Sequence, residues 1–159
     1  MKTINKTTKN ILRDEIENII KQYNIDRNNF YEYSKLKYRD IIDKFLKNFV
    51  ETRYSGARAL SACWLDFKAE LVMEKRIREE AGKWTEFLGE VKDVMPKSDT
   101  KFYLILDEAW VYEGCADEIF AVLNETTTLM EDFYIVSRKF DWMISYVSEG
   151  YTAVLLRKK

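Results

Sequence analysis

Carboxylates crowd one short stretch of this chain. Asp107, Glu108, Glu113, Asp117 and Glu118 lie close enough in sequence to meet around the end of one strand. Paired carboxylates of this kind can hold Mg²⁺ for phosphoryl transfer or nucleic-acid cleavage. The competing explanation is plainer. Acidic side chains gather at a helix N-terminus because the dipole favours them there, and they solvate a surface. Trp110 and Tyr112 alternate with the same acids. Aromatic residues beside carboxylates have the composition of a binding hot spot for a basic protein, or Trp110 simply covers the end of a sheet.

Other chemistry is poorly supplied. The chain has no histidine and two cysteines, Cys63 and Cys115. Two cysteines without histidine do not make a usual zinc site, and a disulfide framework would use several pairs. Cys115 stands near a helix start, but the acids around it oppose a thiolate and no imidazole is available to activate it. Cys63 falls on an apolar helical face. The apolar run ending in Asp107-Glu108 has the look of a nucleotide-hydrolysing strand. Such a site needs a glycine-rich phosphate loop, and the five glycines are scattered at 56, 82, 89, 114 and 150. No metal and no cofactor is expected.

The elements that position these residues can be read from periodicity. Phe102-Tyr-Leu-Ile-Leu106 is an apolar run too short for a lone helix, the pattern of a strand buried on both faces. A turn at Tyr112-Glu-Gly114, a helix over 117–124, and strands over 133–137, 140–147 and 151–156 follow. Phe140, Trp142, Ile144 and Tyr146 share one face of their strand. Gly150 supplies a positive φ in the last hairpin turn. Upstream, apolar spacing predicts helices over 8–23 (capped at Thr7 or Thr8 and ended by Asn24), 34–50, from Ala57 through Leu71, and from Trp84 to the lone Pro96. Phe30, Tyr31 and Tyr33 read as loop aromatics, and Tyr54-Ser-Gly56 as an interruption. The boundary between Val72 and Gly82 stays open.

The chain is therefore expected to form one α+β domain over 1–159, with 1–96 mainly helical and 101–156 running β-α-β-β-β. Three or four helices would pack on one face of a mostly antiparallel four-stranded sheet. With 159 residues, 47% hydrophobic and 14% aromatic, whole-chain disorder is excluded. The net charge of −1 argues against a nucleic-acid binder, but it hides an asymmetry. Between Asp107 and Asp132 stand eight acids and no Lys or Arg. No signal-peptide run and no membrane-length apolar stretch is present, so a cytoplasmic location is expected.

Leu104-Ile-Leu-Asp-Glu-Ala-Trp110, the apolar helix ending Val122-Leu-Asn-Glu125, and Glu131-Asp-Phe-Tyr-Ile-Val-Ser-Arg-Lys-Phe-Asp-Trp142 together resemble a small bacterial family of unknown function. The resemblance covers about the last 55 residues, with a looser echo at Trp64. It would place a histidine pair after the last quoted strand, where Tyr146-Val-Ser148 stands instead, so no imidazole role carries over. Small acidic α+β proteins of this kind look like the immunity proteins that neutralise bacterial toxins. The expected function is thus a non-enzymatic binding protein that masks a toxin's cationic active site, using Asp107, Glu108, Trp110, Tyr112, Glu113, Asp117 and Glu118. The alternatives are a metal-dependent phosphoryl-transfer enzyme or nuclease built on the 107–118 carboxylates, and a phage-encoded inhibitor of a host defence protein. Oligomeric state is left open.

Overall fold

A computed structural model describes residues 2–34, 37–51, 57–60, 62–97, 99–107, 109–126 and 131–159, with backbone alone for 2–10, 57 and 58. Leu36, the Tyr54–Gly56 interruption and Glu108 lie outside the described residues. The elements in chain order are α1 (Lys2–Gln22), β1 (Phe30–Glu32), α2 (Tyr38–Phe49), α3 (Ala57–Leu60), β2 (Val72–Arg78), α4 (Trp84–Val94), β3 (Lys101–Leu106), β4 (Val111–Cys115), α5 (Ala116–Glu125), β5 (Phe133–Ser137), β6 (Trp142–Val147) and β7 (Thr152–Arg157).

The sheet is the first correction to the expected architecture. Among the described residues it has seven strands rather than four, in the order β1-β4-β3-β5-β6-β7-β2, every pair antiparallel. The four expected strands form its centre, β3-β5-β6-β7. The additional strands flank that centre: β4 and β1 on one side, β2 on the other. Each lacked a strand signature for a different reason. β1 has only three residues. β4 contains Glu113 and Gly114, which read as a turn. β2, Val-Met-Glu-Lys-Arg-Ile-Arg, is a charged edge strand exposed along most of its length, and lysine and arginine on an edge discourage pairing with other chains.

Helices cover both faces of the sheet, not one. On the first face Leu12, Ile16, Ile19 and Ile20 of α1, Phe87, Leu88 and Val91 of α4, and Ile119, Phe120, Val122 and Leu123 of α5 pack against Phe102, Leu104, Phe133, Ile135, Trp142 and Ile144. On the second face Ile41, Ile42, Phe45, Leu46 and Phe49 of α2, with Leu60 of α3 and Cys63, cover Ile105, Val111, Tyr134, Val136 and Met143. The reason is in the strands. Alternate positions of β3, β5 and β6 are apolar on both sides, so either face left bare would expose a row of large side chains. Fully burying each such side chain contributes about 1.5–3 kcal/mol.

Leu12, Ile16, Ile19 and Ile20 of α1 and Ile41, Ile42, Phe45, Leu46 and Phe49 of α2 are buried as their spacing predicts, whereas Ile11 is exposed; α1 ends at Gln22, and Asn24 beyond it takes the left-handed φ of 50°. The backbone of α1 is already helical from Lys2, six residues ahead of the expected start. The expected third helix does not continue. Ala62 takes φ 52°, Cys63–Asp66 form a single 3-10 turn, and the chain then enters β2. Glu74 of β2 accepts from Arg157 Nε of β7 at 2.5 Å. In the last hairpin it is Tyr151 (φ 49°), not Gly150, that adopts positive φ. Phe140 also leaves its expected strand: at φ 57° it turns onto the second face and packs on Tyr103.

Candidate functional site

The sequence-predicted residues are spread over two sheet faces and a helix start. β3 and β4 form a tight hairpin in which Ala109 N–H donates to Leu106 C=O at 2.8 Å and Leu106 N–H to Trp110 C=O at 2.9 Å. Ala109 bears the strain of that turn at φ 70°. Asp107 sits half-buried in it. Beyond it the pleat of β4 sends successive side chains to opposite faces, which separates the two residues expected to act together.

Tyr112 goes to the first face and is fully buried. Its ring stacks on Phe30, centroids 5.0 Å apart at 11°, and its hydroxyl donates to Glu32 at 3.4 Å. Burial, then the negative Glu32, pushes its pKa up. Glu113 goes to the second face and is 1% exposed. The hydroxyls of Tyr31 and Tyr33 both donate to it, Tyr33 at 2.8 Å, and Arg138 approaches to 3.6 Å. Both phenols are raised above their ordinary pKa, by burial first. This carboxylate ties β1, β4 and the β5–β6 turn together, with its acceptor sites occupied. Trp110 is half-buried against the first core, with the Arg13 guanidinium 5.3 Å above its ring. Arg13 is itself held by Glu32 at 3.0 Å.

Gly114 has a steric role. A Cβ there would stand 2.6 Å from Asn29 O and 2.8 Å from the Phe30 ring, so β1 can approach β4 only because the residue opposite Phe30 has no side chain.

Asp117 and Glu118 do lie in the first turn of α5, where the helix dipole favours them. Asp117 is exposed and pairs with Lys92 of α4. Among the described residues no three His, Cys, Asp or Glu side chains converge as metal ligands would. Of the carboxylates expected around one strand end, Glu113 is buried among tyrosines while Asp117 is exposed at the start of α5.

What the structure assembles instead is an acidic helical pair. α4 and α5 run side by side in opposite directions. Thr85 and Trp84 at the start of α4 bond to Asn124 (2.7 Å) and Leu123 C=O (2.9 Å) at the end of α5, and Lys92 near the end of α4 meets Asp117 at the start of α5. The two helices carry Glu86, Glu90, Asp93, Asp117, Glu118 and Glu125 against a single base, Lys92. Tyr23, half exposed, lies beside Glu125, whose carboxylate raises its phenol above the ordinary pKa. Glu86, Glu90 and Asp93 were absent from the sequence-based site. Their spacing of four and three residues on a predicted helix was the signal that puts them on one face.

Both thiols are subdued by their surroundings. Cys63 is buried and its thiol donates to Tyr134 Oη at 3.2 Å; burial pushes it up to about 12. Cys115 is also raised, by burial and then by Glu118. Since the thiolate is the nucleophile, a disulfide reagent at pH 8 should leave Cys63 unmodified in the folded protein and react with Cys115 more slowly than with a free thiol. Denaturant should expose both. The sign of the linkage follows. A raised folded-state pKa stabilises the fold below the unfolded value of about 8.5, and that contribution fades as pH climbs towards about 12. Labelling followed by intact mass checks the first point, and fast modification of Cys63 in the native protein would overturn its placement.

Among the described residues no helix is long and apolar enough to cross a membrane. No curated protein matches the chain. The match to a protein family is broader than the C-terminal resemblance implied, reaching back through all the helices to Thr8: over residues 8–159 the chain belongs to a family of unknown function, DUF6756.

Proposed function

We propose that this protein acts by binding, as a cytoplasmic immunity protein whose acidic helical pair docks on a basic protein toxin and covers its active site. The observation that carries this is the charge of α4 and α5, six carboxylates against one lysine that is already engaged with Asp117. Glu86, Glu90, Asp93, Asp117 and Glu125 are exposed. Such a surface attracts a cationic cleft over roughly a Debye length and speeds encounter. Enzymes that attack nucleic acids or nucleotides line their clefts with Lys and Arg, the groups these carboxylates would cover. The general likeness of small acidic α+β proteins to immunity proteins suggests the same partner class. Tyr112 is buried, so the aromatic anchor falls to Tyr23 at the border of the patch.

The test is association kinetics against the protein encoded by the adjacent gene, at low and high salt. Replacing Glu86 and Glu90 together by Lys should slow association about tenfold at low salt, with the gap closing at high salt. Tyr23→Ala should chiefly speed dissociation. Binding indifferent to salt and to all three substitutions would reject this surface.

A further inference from the structure

A second site lies on the opposite face of the sheet, independent of the acidic helices. On the second face Tyr134 of β5 is sealed beneath Phe45 and Cys63. In the same cross-strand row, Tyr134 is followed by Ser145 of β6, Val154 of β7 and Arg76 of β2. Ser145 and Val154 are small where their neighbours are large, and a cavity of about 430 Å³ opens above them. That volume falls within the range of small-molecule sites. Trp64 and Phe67, presented by the 3-10 turn and the residue after it, form its aromatic walls, and Arg76 and Glu149 stand at its rim.

Two features point to a ligand. Ser145 lines this cavity, and its hydroxyl is buried with no hydrogen-bond partner among the described residues, although buried hydroxyls are normally satisfied. At the rim, Arg76 and Glu149 are both exposed and neither makes an ion pair among the described residues. One positive and one negative group beside an aromatic slot, with a hydroxyl at its base, complement a zwitterion on an aromatic body that ends in a polar atom. Arg76 and Ser145 stand two strand spacings apart, about 10 Å, comparable to the length of such a molecule.

We propose that this cavity binds a free aromatic α-amino acid, with its carboxylate on Arg76, its ammonium on Glu149, its ring between Trp64 and Phe67, and a side-chain hydroxyl or indole N–H on Ser145. Titration calorimetry of the full chain with tyrosine, tryptophan and phenylalanine tests it. Saturable binding of tyrosine or tryptophan is expected, with phenylalanine weaker. Ser145→Ala should weaken tyrosine or tryptophan about three- to tenfold and leave phenylalanine unchanged. Arg76→Gln, at an exposed position that does not threaten the fold, should weaken all three by about tenfold or more. No saturable heat at millimolar ligand would overturn the proposal. So would binding indifferent to both substitutions. Equal binding of the N-acetyl amides, which lack both charges, would do so too and would reassign the slot to an aromatic side chain of a protein partner.

Discussion

Trp142→Ala should lower the free energy of unfolding by about 3–5 kcal/mol, the usual cost of truncating a buried large aromatic. Trp142 is 1% exposed at the start of β6, where its ring lies 5.5 Å from Phe102 at 53°. It belongs to the first-face core that contains Leu104, Phe133 and Ile135, each fully buried. The structure places those four residues together in one cluster. Trp142 Nε1 is buried without a hydrogen-bond partner among the described residues, which gives the prediction a second arm. Trp142→Phe removes that unsatisfied N–H while keeping most of the apolar contact, so it should cost far less than the alanine. Urea melts of both variants provide the measurement. An alanine variant that melts with the native protein, or a phenylalanine variant as damaged as the alanine, would contradict this packing.

Glu113→Lys should be as destructive, although the sequence placed Glu113 on a contact surface, where reversal would only slow association. The carboxylate is buried and takes the hydroxyls of Tyr31 and Tyr33 with Arg138 nearby. Lysine there buries a cation beside Arg138 with no carboxylate to pair it, and removes the acceptor of both hydroxyls. Breaking a buried charged cluster in this way costs about 3–5 kcal/mol, a large fraction of the stability of an ordinary domain. Glu113→Gln keeps the shape and one carbonyl acceptor, and should cost about 1–3 kcal/mol. The readout is the far-ultraviolet dichroism melt. A Glu113→Lys protein with native stability would return the residue to the surface and restore the original site.

These two residues mark where local pattern suffices and where it fails. Apolar runs and their period were enough to find β3, β5, β6 and β7 and the buried faces of α1, α2, α4 and α5, because burial demands apolar residues at fixed spacing whatever the partner is. The same runs also held the evidence for helices on both faces, since Phe102–Leu106 is apolar at every position. Which helix covers which face is a matter of topology, however, and no single segment encodes it. β2 was illegible because an edge strand exposed on both sides has no apolar alternation to show. β4 was illegible because Glu113 and Gly114 imitate a turn. Gly114 is there so that Phe30 can approach, and Glu113 is tolerated because two tyrosines more than 75 residues away in sequence satisfy it. The chain's sequence determined that a negative field exists near its C-terminal half. Only the tertiary structure decided which carboxylates contribute to it, by burying Glu113 behind β1 and by laying α4, with its exposed Glu86, Glu90 and Asp93, beside α5, with Asp117 and Glu125. Charge can be counted along a chain, but whether a given charge faces water or a tyrosine is fixed by the strand or helix packed over it.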